Sequence, residues 1–181
     1  MWYILAIILV LLVIYVFATY NSFVKLKNRV KEAFSTMDVY LKKRWDLIPN
    51  IVEVVKGYAK HEKDTIKEVV ELRNSVYDKM DDQTKVDTNN KITQGLTKIM
   101  ALAEAYPDLK ADKNFRELQS ELSSVEEDIA NARKYYNGSV RLYNNKVQMV
   151  PSNIVAMIFG YKTEKMFEID SVEKENVKVE L

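Results

Sequence analysis

Trp2 to Tyr20, WYILAIILVLLVIYVFATY, is a run of nineteen residues without a charged side chain. As a helix rising about 1.5 Å per residue it reaches roughly 28 Å, close to the ~30 Å hydrocarbon core of a bilayer, so it is long enough to span one. A removable signal peptide is the competing reading, because Ala18 after Val16 and Phe17 loosely imitates a small-residue cleavage site. Against it, no Lys or Arg precedes the run, while Lys25, Lys27, Arg29 and Lys31 follow closely. That asymmetry favours an outside amino terminus and a cytoplasmic carboxy-terminal part. Trp2, Tyr3, Tyr20 and Asn21 suit the two interfaces, where amphipathic rings and the first polar groups sit.

Removing the anchor from 181 residues leaves about 160, enough for one domain with a core of its own. The 27 basic and 26 acidic residues nearly cancel, so no whole-protein field recruits nucleic acid or acidic substrates. Zero Cys excludes disulfides, thiolate metal sites and cysteine nucleophiles. One His leaves histidine-ligated metal poorly supplied, and three Pro and four Gly leave little punctuation, which points to long helices.

Apolar residues recur at steps of three and four from Phe23 through Leu26, Val30, Ala33, Met37, Leu41, Trp45 and Ile48, a stripe that continues the anchor without a linker. Pro49 interrupts, since inside a helix its ring clashes with the Trp45 carbonyl. Either the helix kinks and continues, the stripe staying in phase through Val52, Val55 and Ala59, or it breaks, with Asp46 capping a new helix and Pro49 in its tolerated first turn. The break is the favoured expectation. It gives an all-α fold: a transmembrane helix, then an antiparallel up-and-down bundle of four helices over 21–47, 50–78, 88–106 and 113–150, then an extended tail. The corresponding divisions are 2–20 for the span, 21–160 for the cytoplasmic bundle and 161–181 for the tail.

Lys79 to Asp87 reads as a polar connection, and Pro107 ends the next helix near Tyr106. Asp112, with Asn114 as the alternative, is the expected N-cap for the segment with the clearest period. From Phe115 to Val150 ten steps cover 35 residues, an average of 3.5, the coiled-coil repeat. Leu118, Leu122, Val125, Ile129 and Ala132 form its core seam; Glu117, Glu121, Glu126 and Arg133 read as a solvated flank. Pro151 ends it. Ser152 is then expected to cap a short apolar helix, Asn153 to Phe159, that stops at Gly160. Two readings of that helix stay open: its side chains cap the open end of the bundle, the favoured one, or they reach the lipid surface near Tyr20. A continuous first helix is expected to carry Val150 away from the bilayer and remove the second.

In order along the chain, Tyr20-Asn21, DVYLKKRWDLIPN (38–50), GYAKHE (57–62), AEAYPDLKADKNF (103–115), ARKYYNGSVRLYN (132–144) and PSNIVAMIFG (151–160) resemble the LemA family of bacterial membrane proteins. The resemblance covers nearly the whole chain and rests on several multi-residue runs in register. It implies a bacterial cell-membrane protein with a single anchor and an antiparallel helical bundle, and it implies no activity.

Chemistry-bearing motifs are sparse. His61-Glu62 imitates the start of a zinc-protease helix, but that motif needs a second His at 65, where Thr65 stands. Glu104, Glu117, Glu121, Glu126 and Asp128 suggest a carboxylate di-metal site, yet that design needs Glu-x-x-His pairs. No G-x-S-x-G or phosphate-loop run occurs, so no catalytic residue, cofactor, metal or small-molecule substrate is expected. Asn137-Gly138-Ser139 matches a glycosylation acceptor that a cytoplasmic helix leaves inert.

Polar residues beside the stripes carry more information. Arg44, Asp46, Asn50, Arg133, Asn137 and Asn144, with Asn21, His61, Glu62, Glu104, Tyr136, Tyr143 and Asn153 from the family-like runs, are the candidates for fixing helix register or contacting a partner. Register is favoured, because a polar group beside a core without a partner costs about 1–3 kcal/mol. The expected function is a membrane-anchored, non-enzymatic scaffold or adaptor binding other proteins, or copies of itself, through helical faces. The alternative is a membrane-remodelling or lipid-contacting module using Lys25 to Lys31 and the helix near Ile158.

Overall fold

The computed structural model describes residues 1–59, 63–72 and 77–167. Their secondary structure is helical: α1 (Trp2–Tyr58), α2 (Lys63–Leu72), a 3-10 turn (Tyr77–Lys79), α3 (Asp82–Ala105), α4 (Pro107–Ala111), α5 (Lys113–Gln148) and α6 (Ser152–Phe159). An extended segment, 161–167, follows Gly160, whose φ of 71° ends α6 in the left-handed conformation that a residue without a Cβ adopts freely.

The break expected at Pro49 does not occur: α1 runs through it to Tyr58. A mid-helix proline costs about 3 kcal/mol. Leu47, Ile48, Ile51, Val52 and Val55, on both sides of it, are all buried, and burying each such side chain contributes about 1.5–3 kcal/mol. Their sum outweighs the proline. Asp46 therefore caps nothing; it is exposed and pairs with Lys42 one turn earlier at 2.6 Å. The helices of the bundle are accordingly bounded differently from the expected four, with α1 ending ten residues or so beyond Pro49.

Other boundaries follow local chemistry. Asp81 accepts a hydrogen bond from the Thr84 amide at 2.7 Å and caps α3, which shortens the expected polar connection. Tyr106, preceding Pro107, is extended and separates α3 from α4, whose first residue is that proline. Asp112 caps α5 as expected, accepting from the Phe115 amide at 2.9 Å. Ser152 does not cap α6. Its hydroxyl lies 2.7 Å and 2.8 Å from the Lys146 and Met149 carbonyls, satisfying the end of α5 instead.

The described residues fall into two compact units. The first combines residues 1–37 with 131–167. The side chains of residues 2–15 are exposed there, whereas Phe23, Val30, Val140, Tyr143, Val155 and Ala156 form a buried cluster with Val16, Leu26, Tyr136, Val147 and Tyr161 at its edge. Phe23 meets Tyr143 and Phe34 meets Tyr136, at ring-centroid distances of 6.4 and 5.7 Å, so α1 and α5 run antiparallel. The described part of the second unit comprises residues 38–59, 63–72 and 77–130. In it Arg44 meets Glu126 and Tyr58 meets Asp112, again antiparallel, and α2 packs on α3. Of the seam residues on α5, Leu122, Val125, Ile129 and Ala132 are buried and Leu118 is half-buried.

Candidate functional site

In the second unit the stripe of α1 delivers Arg44 into the core, where its side chain is 1% exposed. A buried guanidinium needs a counter-charge and acceptors for its fixed fork of donors. Nη1 donates to Glu126 Oε1 at 2.7 Å and to Thr93 Oγ1 at 3.0 Å. Nη2 donates to the Asn89 carbonyl at 2.8 Å and to Asn89 Oδ1. One side chain thus ties α1 to α3 and α5. Glu126, read from sequence as solvated flank, is its counter-ion. Asn89 stands one helical step before Ile92, in line with the α3 stripe of Ile92, Leu96, Ile99 and Ala103, a polar residue on the buried face.

A second polar group in that unit centres on Asp38. Tyr77 Oη donates to its Oδ1 and Lys85 Nζ to its Oδ2, both at 2.6 Å. The Tyr77 ring lies on Trp45, 5.4 Å between centroids, with Lys85 over its face at 5.0 Å. Burial first, and then the hydrogen bond to the Asp38 carboxylate, push the Tyr77 hydroxyl well above the usual phenol range. None of Asp38, Tyr77 and Lys85 stood out in the sequence.

In the first unit α5 holds the extended segment 161–167. Asn144 donates from Nδ2 to the Glu164 carbonyl at 2.8 Å and accepts from the Glu164 amide at 2.9 Å. Asn137 repeats the pattern on Phe167, at 2.9 and 2.8 Å. Seven residues apart, the two amides share a face of the helix and imitate the edge of a β-strand towards the extended backbone. Tyr136 Oη adds a bond to the Lys165 carbonyl at 3.0 Å, and Arg133 lies 4.5 Å from the centre of the Phe167 ring.

The remaining candidates are dispersed. Asn21 and Asn50 are exposed, Glu104 is exposed and pairs with Lys110, and Asn153 is half-buried. Tyr143 is buried against Phe23, and burial raises its hydroxyl above the ordinary phenol range. His61 and Glu62 lie outside the described residues. Among the described residues no three His, Asp or Glu side chains converge as a metal shell. The charged groups brought together are occupied with one another, so this arrangement locks helices and straps a tail.

The exposed face of α6 adds an apolar surface that the core of the first unit does not absorb. Val155 and Ala156 are buried, while Ile154, Met157, Ile158 and Phe159 stay exposed, with Met149 and Val150 beside them. Phe159 rests on Tyr20, at the end of the apolar span, with 4.8 Å between ring centroids. The expectation that a continuous first helix carries this region away from the span therefore fails, because α5 returns alongside α1 as far as Phe23.

A profile of the LemA family matches residues 33–181. The chain is 23% identical over 158 residues to Protein LemA of Metamycoplasma hominis, covering 87% of this chain and 72% of that one. It is 24% identical over 174 residues to Magnetosome protein MamQ of Magnetospirillum gryphiswaldense, covering 82% of this chain and 64% of that one. Magnetosome protein MamQ 2 of Paramagnetospirillum magneticum is 24% identical over 175 residues with the same shares. The chain thus spans just under two thirds of the MamQ relatives' length.

Proposed function

This chain belongs to the LemA family, and from that premise we propose that it is a membrane-anchored, non-enzymatic scaffold that works through protein contacts on its helical faces. The observation that carries the reading is the continuity of α1. Its first fourteen or so residues expose apolar side chains on all sides, as a lipid-embedded segment does, and the same helix then supplies the core stripe of the folded part without a linker. A folded part attached in this way is held at the membrane.

The polar side chains support the same reading. Arg44, Glu126, Asp38 and Lys85 hold one another, and Asn137 and Asn144 hold backbone. What is left for a partner is the outer surface, where Val39 on α1 and Tyr135 and Leu142 on α5 are exposed. The orientation belongs to the proposal too: the four basic residues after the span put the folded part in the cytoplasm.

A photo-reactive residue at Val39 or Leu142, activated in native membranes, tests the reading. Discrete protein adducts, to another protein or to a second copy, are the expected result at these positions. Their absence at both, with the protein folded and in the membrane, removes the scaffold reading. A reporter after Leu181 that is active only when exported reverses the orientation.

A further inference from the structure

After Ser152 and Asn153 the remaining six residues of α6, Ile154 to Phe159, are all apolar and run right round the helix. A helix of that kind belongs in an interior, with apolar surroundings on all of its faces. The folded part supplies them on one side only, where Val155 and Ala156 join the Phe23 cluster. On the other side Met157 is 81% exposed and Ile158 67%, and the adjoining turn leaves Val150 78% exposed. Met149, Ile154 and Phe159 are exposed as well, so α6 and the turn before it carry six exposed apolar side chains within eleven residues.

Its position says what covers it. Phe159 packs on Tyr20, the residue at which the apolar span ends, and Tyr161 packs on Tyr20 and Phe23, at 6.1 and 4.7 Å. Tyrosine at the end of a span sits at the level of the lipid headgroups, its ring in apolar surroundings and its hydroxyl in water. A bilayer that holds Tyr20 at that level brings its boundary to Phe159. Basic groups stand where the phosphates then lie: Lys27 is 5.9 Å from the centre of the Tyr161 ring, and Lys25 and Lys162 are exposed beside the same aromatic residues in sequence.

We propose that α6 and the turn before it form a second, non-spanning membrane contact, lying in the interface of the leaflet from which the folded part emerges, with Met149, Val150, Ile154, Met157, Ile158 and Phe159 among the lipid chains. Eight residues reach only about 12 Å and cannot cross, so the helix lies along the surface. The contact rests on the reading of residues 2–20 as the anchor. It adds a second point of attachment beside the span, which restrains the folded part against tilting and turning about α1.

The chain contains no Cys, so one introduced cysteine carries one environment-sensitive fluorophore. The full chain with Ile158→Cys, labelled and reconstituted into phosphatidylcholine bilayers containing phosphatidylglycerol, is compared with Val10→Cys in the span and Ser35→Cys on the exposed side of α1. Bromine on the lipid tails is expected to quench the probes at 158 and 10 by several-fold more than the one at 35. Met157→Glu is expected to abolish most of the quenching at 158 in the Ile158→Cys background and to leave the quenching at 10 unchanged in the Val10→Cys background, with circular dichroism reporting the retained fold. Quenching at 10 but not at 158 overturns the proposal and leaves the anchor standing. A probe at 158 that is shielded from water yet unquenched by bromine overturns it in favour of a second copy covering the patch. No quenching at either position overturns the anchor and the proposal together.

Discussion

Arg44 and Glu126, 82 positions apart in sequence, meet at 2.7 Å with the guanidinium buried and the carboxylate partly open to solvent. Removing the carboxylate leaves Arg44 its neutral acceptors on Asn89 and Thr93; removing the guanidinium leaves four acceptor groups on three residues short of donors. Breaking a buried pair from one side costs about 3–5 kcal/mol. Arg44→Ala is expected to lose that much in urea unfolding, and Arg44→Lys to recover little, because one ammonium cannot replace the planar fork. Glu126→Gln keeps an acceptor for Nη1 but leaves the buried guanidinium without its counter-charge, so it should cost about 3–5 kcal/mol as well. An Arg44→Lys variant as stable as the wild type would mean that the fork geometry is immaterial.

The strap on α5 is tested by an isosteric change. Asn137→Asp keeps the acceptor for the Phe167 amide and replaces the donor to the Phe167 carbonyl with a second anionic oxygen, so attraction becomes repulsion on one of two bonds. Amide exchange at Phe167 should accelerate by at least tenfold in this variant and in Asn144→Asp at Glu164, the equivalent of about 1–3 kcal/mol per lost bond. Arg133→Ala should loosen Phe167 by about 0.5–2 kcal/mol without touching the Glu164 rung. Unchanged exchange at both positions in the double Asp variant would show that the tail is held elsewhere.

Tyr77 gives the fold an alkaline limit. Its hydroxyl titrates above the ordinary value of 10.0 in the folded chain, so between that value and its raised one the unfolded chain releases the proton and the folded chain keeps it. Stability from this group is complete below about pH 10 and falls as pH rises beyond it. Urea midpoints between pH 9 and 11 should fall more steeply for the wild type than for Tyr77→Phe, which has no proton to lose. Parallel curves would assign the slope to other groups.

How far the sequence reaches depends on whether an interaction leaves a periodic trace. The seam at Leu122, Val125, Ile129 and Ala132 repeats and is buried as the 3.5-residue period requires, and Asp112 precedes its helix at the capping position. Arg44, Asn137 and Asn144 were legible as polar residues beside apolar stripes. Their partners were not, because Glu164 and Phe167 take part through backbone groups that every residue has, and Asp38, Tyr77 and Lys85 are joined by folding across 47 positions. Pro49 misled for a reason of magnitude: a local cost of about 3 kcal/mol was visible, and the burial around it was spread over five side chains. Ser152 has a capping residue's chemistry, but its hydroxyl bonds backward to α5.

The seam itself admits a severe test. Leu122→Asp or Ile129→Asp places an unpaired charge at a buried position, costing several kcal/mol against a total of about 5–15 kcal/mol, and either should unfold the chain outside the span. Residual helix in circular dichroism should then approach that of the span alone. A fully helical Ile129→Asp protein would show that the seam is not the core.

The proposed function requires that residues 2–20 stay on the chain and hold it in the membrane. Intact mass spectrometry of the protein expressed from this sequence, recovered from alkali-washed membranes, measures that directly. The expected species is the full chain of 21.1 kDa in the membrane pellet. A shorter species beginning after Ala18 and found in the soluble fraction would contradict the anchor and, with it, the function proposed here.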